Sequence, residues 1–391
     1  MIKRVATRAL MALSLISVFA HADVKRCSEP WWLWQAFSRH FVQADGRVLD
    51  PSTPKQHSTS EGQAYAMFFA LMNNDAKAFE KIWRWSVDNL AKGNMRIQLP
   101  AWSWGKSEQG EWGVLDSNSA SDADLWFVYA LAEASQKWQR PDYLDDAKAL
   151  LVLVERHEVA ELPGLGAMLL PGKEGFTQKG QNWVLNPSYL PLPVLRKVAS
   201  LSSFAGWQQM PQNLNRLLVK ASPTGFAPDW VAYQGQAVDR GVFLTSNIKG
   251  GVGSYDAIRT YLWAAVTHTD DLLATPILKS LYGVQGALDA QGLPPERVDI
   301  AYGAVQGVGP YGFSAALIPY FVAHNAPDIA ARLRAHTLNE LQKSLKQAQL
   351  HNSKPSYYDF VLSLFALGWD EGLYRFRQDG GVDFSWEKTC P

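Results

Sequence analysis

The chain contains few cysteines, with Cys27 and Cys390 as the two among 391 residues. They stand near opposite ends of the sequence, which excludes a dense disulfide scaffold. One bond between them and two free thiols are both compatible with the sequence. The eight histidines lack the spacing of metal ligands, and H-E-x-x-H, G-x-S-x-G and Walker A motifs are missing. We therefore expect no metal and no cofactor.

Long apolar runs are also missing. The apolar segment Ala9–Ala20 is too short to cross a bilayer, so we expect no membrane insertion. It follows three basic residues and precedes small residues at positions 20 and 22, as in a cleaved secretory signal. The sequence thus predicts a signal peptide over residues 1–22, cleavage after Ala22, and a periplasmic or secreted protein over residues 23–391.

No excess of basic residues is present. Without residues 1–22, which carry three basic and no acidic side chains, 34 basic and 37 acidic residues remain, for a formal charge of −3. Binding to nucleic acid phosphates requires a basic surface. We therefore exclude nucleic acid as the ligand.

Helical periodicity dominates the rest of the chain, and alternating strand patterns are few. Apolar residues recur at three- and four-residue spacing in segments such as EGQAYAMFFALM, SDADLWFVYALAEASQKW and YYDFVLSLFALGW. About a dozen such helices are expected, and they come roughly in pairs, one aromatic-rich and one more charged. No linker or composition shift divides them. One all-α domain, a helical array or a barrel, is predicted.

Tryptophan is abundant, with 16 residues, and several occur in segments without helical periodicity. Burial in a large core would explain most of them. Trp102 and Trp104 are different, because they flank one serine between Pro100 and Gly105. Loop tryptophans near carboxylates suit stacking against the apolar faces of sugar rings.

Three carboxylates stand at predicted helix starts, namely Glu61, Asp122 and Asp256. Taken one at a time, these residues can be explained by helix capping, by the helix dipole or, for Asp256, by a pair with Arg259. In a ring of helices, however, the inner N-termini meet at one end. Two carboxyls with separated pKa values are what glycosidic hydrolysis requires. We assign Glu61 as the acid and Asp256 as the base, and a ligand close to the backbone would explain Gly62.

Several motifs resemble, in order, the family 8 glycoside hydrolases. They are SEGQAYAMFFAL, PAWSWG, LDSNSASDADLW, PGLGAMLLPGKEGF, NPSYLP, GFAPDW, SYDAIRTYLW and GFSAA. The resemblance runs from about Trp31 to Trp386. It implies an (α/α)6 barrel of six inner and six outer helices that cleaves β-1,4-glucan, such as cellulose, internally with inversion. It also implies a place near the cellulose synthesis and export machinery.

The same resemblance assigns roles to individual residues. Glu61 falls on the general acid, Asp256 on the base, and Asp122 on the signature aspartate, which we expect to bind and distort the central sugar. Further residues match cleft motifs and are expected to bind substrate: Trp102, Trp104, Asp116, Asn186, Tyr189, Tyr255 and Arg259.

Two departures from the family pattern leave the substrate open. Ala66 replaces a usual glycine, and the residues after D-A-D read Leu125-Trp126-Phe127-Val128. The alternatives are a chitosanase, a xylanase, a mixed-linkage glucanase, or a non-catalytic glycan-binding component of the secretion apparatus.

Overall fold

The computed structural model describes residues 30–248 and 250–389. The predicted signal peptide, Cys27 and Cys390 lie outside these ranges, so the signal peptide stays a prediction and both alternatives for the cysteines stand. Within the described part of the chain, no helix is both long and apolar enough to span a membrane.

Helices make up about half of the described chain. In order they are α1 Trp32–Phe41, α2 Ser60–Met72, α3 Ala76–Leu90, α4 Ser121–Trp138, α5 Pro141–His157, α6 Leu192–Leu201, α7 Gly206–Ala221, α8 Ala257–Val266, α9 Ala274–Ser280, α10 Tyr311–Ala323, α11 Pro327–Leu350, α12 Tyr357–Asp370 and α13 Trp386–Thr389. Short 3-10 turns cover Pro187–Tyr189 and Tyr282–Gly286.

The even-numbered helices α2 to α12 form an inner ring, and the odd-numbered helices α1 to α11 surround it. The inner helices α2, α4 and α12 are buried on nearly every side, because outer helices cover the faces that do not meet the ring. Outer helices such as α3 and α11 bury one stripe and expose charged residues. The ring closes where Phe365 of α12 packs on Phe69 of α2, with ring centroids 4.6 Å apart. The (α/α)6 barrel is thus confirmed.

Short antiparallel strands lie in the segments that connect the helices of this barrel. They are β1 Ser58–Thr59, β2 Ser103–Lys106, β3 Trp112–Asp116, β4 Val159–Leu162, β5 Gly166–Leu169, β6 Thr177–Gln178, β7 Asn182–Leu185, β8 Val231–Ala237, β9 Arg240–Thr245, β10 Val252–Gly253, β11 Arg297–Asp299, β12 Val305–Gln306, β13 Tyr374–Phe376 and β14 Val382–Phe384. They pair as β1-β2-β3, β4-β5, β6-β7-β8-β9, β10-β11-β12 and β13-β14.

The lengths of the connections indicate which end of the barrel carries the functional residues. Links from inner to outer helices are short, as in residues 73–75 between α2 and α3. Most links from outer to inner helices are long, as in residues 158–191 between α5 and α6, and they carry most of the strands. The long segments therefore gather around the N-termini of the inner helices. Loops that carry binding residues on a rigid scaffold are typical of enzymes.

Candidate active site

An aromatic cluster on the barrel axis forms the floor of the site. Trp126 of α4 lies 5.6 Å from Tyr65 of α2, 5.4 Å from Trp263 of α8 and 5.3 Å from Phe365 of α12, measured between ring centroids. Glu61, Asp122 and Arg259 each stand four residues before one of these rings, one helical turn nearer the N-terminal end. The polar groups therefore lie directly above a layer of packed, buried aromatic side chains.

Arg259 joins the three predicted carboxylates. Its Nη1 contacts the Glu61 carboxylate and lies 3.5 Å from Asp122 Oδ2, while its Nη2 lies 3.0 Å from Asp256 Oδ1. The guanidinium is buried, and so is Asp122, whereas the side chains of Glu61 and Asp256 are 25% and 17% exposed. Residues from α2, α4 and the start of α8 thus converge, as predicted for one cleft, and the predicted pair of Asp256 with Arg259 is confirmed.

Asp256 is held by residues of the segment GFAPDW. The buried Asp229 carboxylate accepts hydrogen bonds from the backbone N–H groups of Ser254, Asp256 and Ala257, at 2.7, 3.2 and 2.8 Å. It therefore accepts hydrogen bonds from the backbone N–H groups at the N-terminus of α8, which have no acceptor within the helix. The Trp230 indole donates to Asp256 Oδ2 at 3.1 Å. Two neighbours in sequence thus fix the position of the predicted base.

The pKa of Asp122 is raised well above its ordinary value. Burial is the main cause, the negative charge of Glu61 adds to it, and Arg259 opposes both. Oδ1 accepts only the N–H of Ala123 at 2.8 Å among donors in the described chain. Arg259 Nη1 contacts both the Glu61 and the Asp122 carboxyls, so the two acidic groups lie side by side.

The start of α2 differs from the sequence-based interpretation in the reason for Gly62. Thr59 caps the helix, with Oγ1 accepting the N–H of Gly62 at 3.0 Å. A side-chain carbon at Gly62 would collide with the Tyr357 hydroxyl of α12. Close helix packing therefore explains this glycine, and the expectation of a ligand beside its backbone is wrong.

The cleft above the carboxylates is open and lined by aromatic side chains. Its volume is about 240 Å³. Four aromatic residues contribute to its walls: Trp102, Tyr189, Tyr255 and Tyr358. The Tyr358 hydroxyl donates to the Tyr255 carbonyl at 2.5 Å, and the Tyr255 hydroxyl donates to Glu296 at 2.8 Å. Three of the predicted binding aromatics thus face the carboxylates.

The other predicted binding residues stand differently. Asp116 is exposed beside the cleft, and hydrogen bonds from the Asn118 backbone and the Trp102 indole lower its pKa. Asn186 is buried beneath the cleft, where its Oδ1 accepts from the Ser188 N–H at 3.0 Å and hydroxyl at 2.7 Å. It therefore shapes the turn that carries Tyr189.

Trp104 lies away from the carboxylates. It lines a separate surface depression with Trp85 and Trp112, and it is not among the residues that line the cleft. The sequence pattern W-S-W suggested two equivalent tryptophans. Trp102 lies in a bend before β2, whereas Trp104 lies within β2 and pairs with Ser58, so the two side chains are not related by the alternation of one strand.

Three residues of the site were not predicted: Asp229, Ser188 and Tyr358. Ser188 accepts from Arg259 Nη2 at 3.3 Å. Asp229 and Ser188 lie in the quoted segments GFAPDW and NPSYLP, but no sequence pattern gave them a role. Tyr358 begins an inner helix, so its place at the functional end follows from the barrel itself.

The charged groups and aromatic walls suit a polar ring-shaped ligand. Among residues 30–248 and 250–389, no group of histidine, cysteine and acidic side chains has the geometry of a metal site. The described site offers carboxyl groups for proton transfer, a buried cation to organise them, and rings for stacking. This is the equipment of acid–base hydrolysis of a sugar polymer.

Comparisons with known proteins agree with this chemistry. The sequence profile of the glycosyl hydrolases family 8 matches residues 3–372. An endoglucanase of Pseudomonas fluorescens (strain SBW25) is 42% identical over 98% of this chain and 97% of its own. One of Xanthomonas axonopodis pv. citri (strain 306) is 44% identical over 95% and 94%.

A solved structure is similar along most of the chain. The crystal structure of endo-1,4-D-glucanase from Vibrio fischeri ES114 superposes with a TM-score of 0.85 at 35% identity. The match covers 91% of this chain and 99% of that one.

Proposed function

This chain belongs to the glycosyl hydrolases family 8 and is a glycoside hydrolase, and we propose that it is an endo-β-1,4-glucanase that cleaves cellulose with inversion. The observation that carries the proposal is the convergence of Glu61, Asp122 and Asp256 on Arg259 in one open cleft. The names of the family relatives, endoglucanase and endo-1,4-D-glucanase, support the same linkage.

Glu61 supplies the proton to the leaving glycosidic oxygen. It is the more exposed member of the Glu61–Asp122 pair, and the pKa of its partner is raised by burial and by the charge of Glu61. Glu61 lines the open cleft, where its carboxyl can reach the leaving oxygen.

Asp256 activates the water that attacks the anomeric carbon. Asp229 and Trp230 fix its backbone and carboxylate, and its side chain reaches the cleft. Glu61 and Asp256 bind different nitrogens of the Arg259 guanidinium, which lies between them. Inversion requires roughly 6.5–9.5 Å between the two carboxyls, so that a water fits between them.

Asp122 binds the central sugar. It is buried but lines the floor of the cleft between the acid and Tyr189. A hydrogen bond between its carboxyl and a sugar hydroxyl favours a distorted ring, which lowers the barrier to cleavage. Trp102 and the tyrosines then hold the flanking sugars by stacking.

The test uses soluble carboxymethylcellulose, with viscosity and new reducing ends recorded together. We expect a rapid fall in viscosity with few new ends, and loss of both changes in Glu61→Gln and Asp256→Asn variants that remain folded. Full activity in either variant would overturn its assignment. No cleavage by the unaltered protein, followed by cleavage of chitosan, xylan or mixed-linkage glucan, would replace cellulose as the substrate.

Export and a role in cellulose synthesis complete the proposal. The basic and apolar pattern of residues 1–22 supports export, and the family resemblance supports a place beside the cellulose synthase complex. Cell fractionation tests the first, and the cellulose output of a deletion strain tests the second. Retention of the protein in the cytoplasm would contradict the export proposal.

A further inference from the structure

A second depression lies beside α3 and the β1-β2-β3 sheet. Its volume is about 480 Å³, and it shares no lining residue with the catalytic cleft. Its lining includes Arg47, Trp85, Asp88, Asn89, Trp104 and Trp112. We propose that this depression, the Trp112 site, binds a second stretch of the β-1,4-glucan chain, and this rests on the proposed function.

The sheet separates the Trp112 site from the catalytic cleft. Ser58 pairs with Trp104, and the next residue, Thr59, pairs with Ser103. Side chains of paired residues share a face of a sheet, and successive residues point to opposite faces. Thr59 lines the catalytic cleft, and Trp104 lines the Trp112 site. The two sites therefore use opposite faces of one small sheet.

Two stacked indoles provide the binding surface. The Trp104 and Trp112 rings lie 5.5 Å apart between centroids at an interplanar angle of 18°, and the edge-on ring of Trp85 lies 5.3 Å from Trp104. Trp112 remains 47% exposed. An exposed, orientated indole offers a flat apolar face, which matches the C–H face of a glucose ring.

Arg47 makes this surface rigid. Its guanidinium carbon lies 4.5 Å from the Trp104 ring centroid and 4.8 Å from that of Trp112. Its Nε donates to Ser58 Oγ at 2.7 Å, and Nη2 donates to the Gln56 carbonyl. The aromatic pair is thus held before any ligand arrives, which reduces the entropy lost on binding.

The charges around the Trp112 site favour a neutral polymer. Its lining carries two arginines and two aspartates, together with the amides of Gln43 and Asn89. A phosphorylated or cationic chain would meet as many like as opposite charges there, whereas sugar hydroxyls can bond to both kinds of group. A neutral β-1,4-glucan, the polymer proposed for the cleft, fits this lining.

The test separates binding of the polymer from catalysis. Retardation in native gels containing hydroxyethylcellulose is measured in the Glu61→Gln background, so that the polymer is not cut. Turnover of cellopentaose is measured without that change. We expect Trp112→Ala to weaken polymer retention roughly five- to tenfold, which corresponds to the loss of one aromatic contact. Cellopentaose turnover should stay within about twofold, because the cleft is untouched.

Matched variants complete the experiment. Trp32→Ala removes another exposed tryptophan, 42% accessible on α1, and should change neither reading. Trp112→Tyr keeps an aromatic face and should retain most of the binding. Unchanged retention in Trp112→Ala, or an equal fall in Trp32→Ala, would overturn the second site, as would a parallel loss of cellopentaose turnover. Absence of turnover in the unaltered protein would refute the proposed function instead. Retention in the hydroxyethylcellulose gel would still test the second site.

Discussion

A buried pair of carboxyls behind the catalytic cleft should lower the stability of this protein at alkaline pH. Asp124 and Glu158 are both fully buried, and burial and the charge of Glu158 raise the pKa of Asp124. Ser119 Oγ donates to Glu158 Oε1 at 2.5 Å, and no donor in the described chain reaches either oxygen of Asp124. The pair therefore depends on its own proton.

The size of the effect follows from the pKa of Glu158. Burial raises that pKa from 4.5 to about 7, against the hydrogen bonds from Ser119 and Asp124 and the charge of Lys173. A carboxyl whose pKa is higher in the folded state stabilises that state while protonated. The contribution is complete below the unfolded pKa and is lost as the pH rises through about 7. At about 1.4 kcal/mol per pKa unit, ionisation costs about 3 kcal/mol.

Glu158→Gln removes this cost and keeps both an acceptor for Ser119 and a donor for Asp124. We expect the free energy of unfolding to rise by up to about 3 kcal/mol at about pH 8 and to change by less than about 1 kcal/mol at about pH 4. Urea unfolding followed by tryptophan fluorescence measures both values. Glu161→Gln, which changes an exposed glutamate in the next strand, β4, is the matched control.

The opposite pH dependence in Glu158→Gln would refute the reasoning. Destabilisation by the same amount at both pH values would do so too. The first result would mean that the ionised Glu158 carboxylate is stabilised in the folded protein, and the second that the pKa of Glu158 is the same in the folded and unfolded states.

Three further substitutions test the packing and charge around the cleft. Gly62→Ala should lower the free energy of unfolding by about 1–3 kcal/mol because of the Tyr357 hydroxyl, and Tyr357→Phe in the same chain should restore most of it, as measured in urea; absence of rescue would contradict that cause. Arg259→Met should cost about 3–5 kcal/mol at neutral pH, since it removes the buried cation that joins the Glu61 and Asp256 carboxylates, and unchanged stability would contradict the ion network. Asp229→Ala should lower the free energy of unfolding by about 2–3 kcal/mol, because the backbone N–H groups at the start of α8 lose their hydrogen-bond acceptor; thermal unfolding measures this. Replacement of the exposed Asp239 by alanine is the control, and an equal effect there would contradict the cap.

The sequence predicted the barrel because the inner helices carry unusually continuous apolar and aromatic faces. The interval predicted for α4 agrees with the structure at both ends. Helices α6 and α9 were not among the segments identified from periodicity. α6 contains Pro193 and directly follows Pro191, and α9 spans only Ala274–Ser280, so proline and short length weaken the periodic signal.

The part of the candidate site that is formed by carboxylates at helix starts was predictable from the sequence. Glu61, Asp122 and Asp256 meet because the inner helices share one direction, which the pairing of helices indicates. The reason for Gly62 was not predictable, because Tyr357 lies almost 300 residues further along the chain and meets it only when the ring closes. The position of Trp104 was missed because Trp102 lies in a bend before β2, so the two-residue spacing does not place both side chains on one face.

The most direct test of the central claim follows the anomeric form of the first product. Proton magnetic resonance during cleavage of cellopentaose distinguishes the α- from the β-anomer before they equilibrate. If Glu61 donates the proton and Asp256 activates water on the opposite side of the sugar, the new reducing end appears first as the α-anomer. Initial appearance of the β-anomer would contradict the account, because it requires a covalent intermediate on one of these carboxylates.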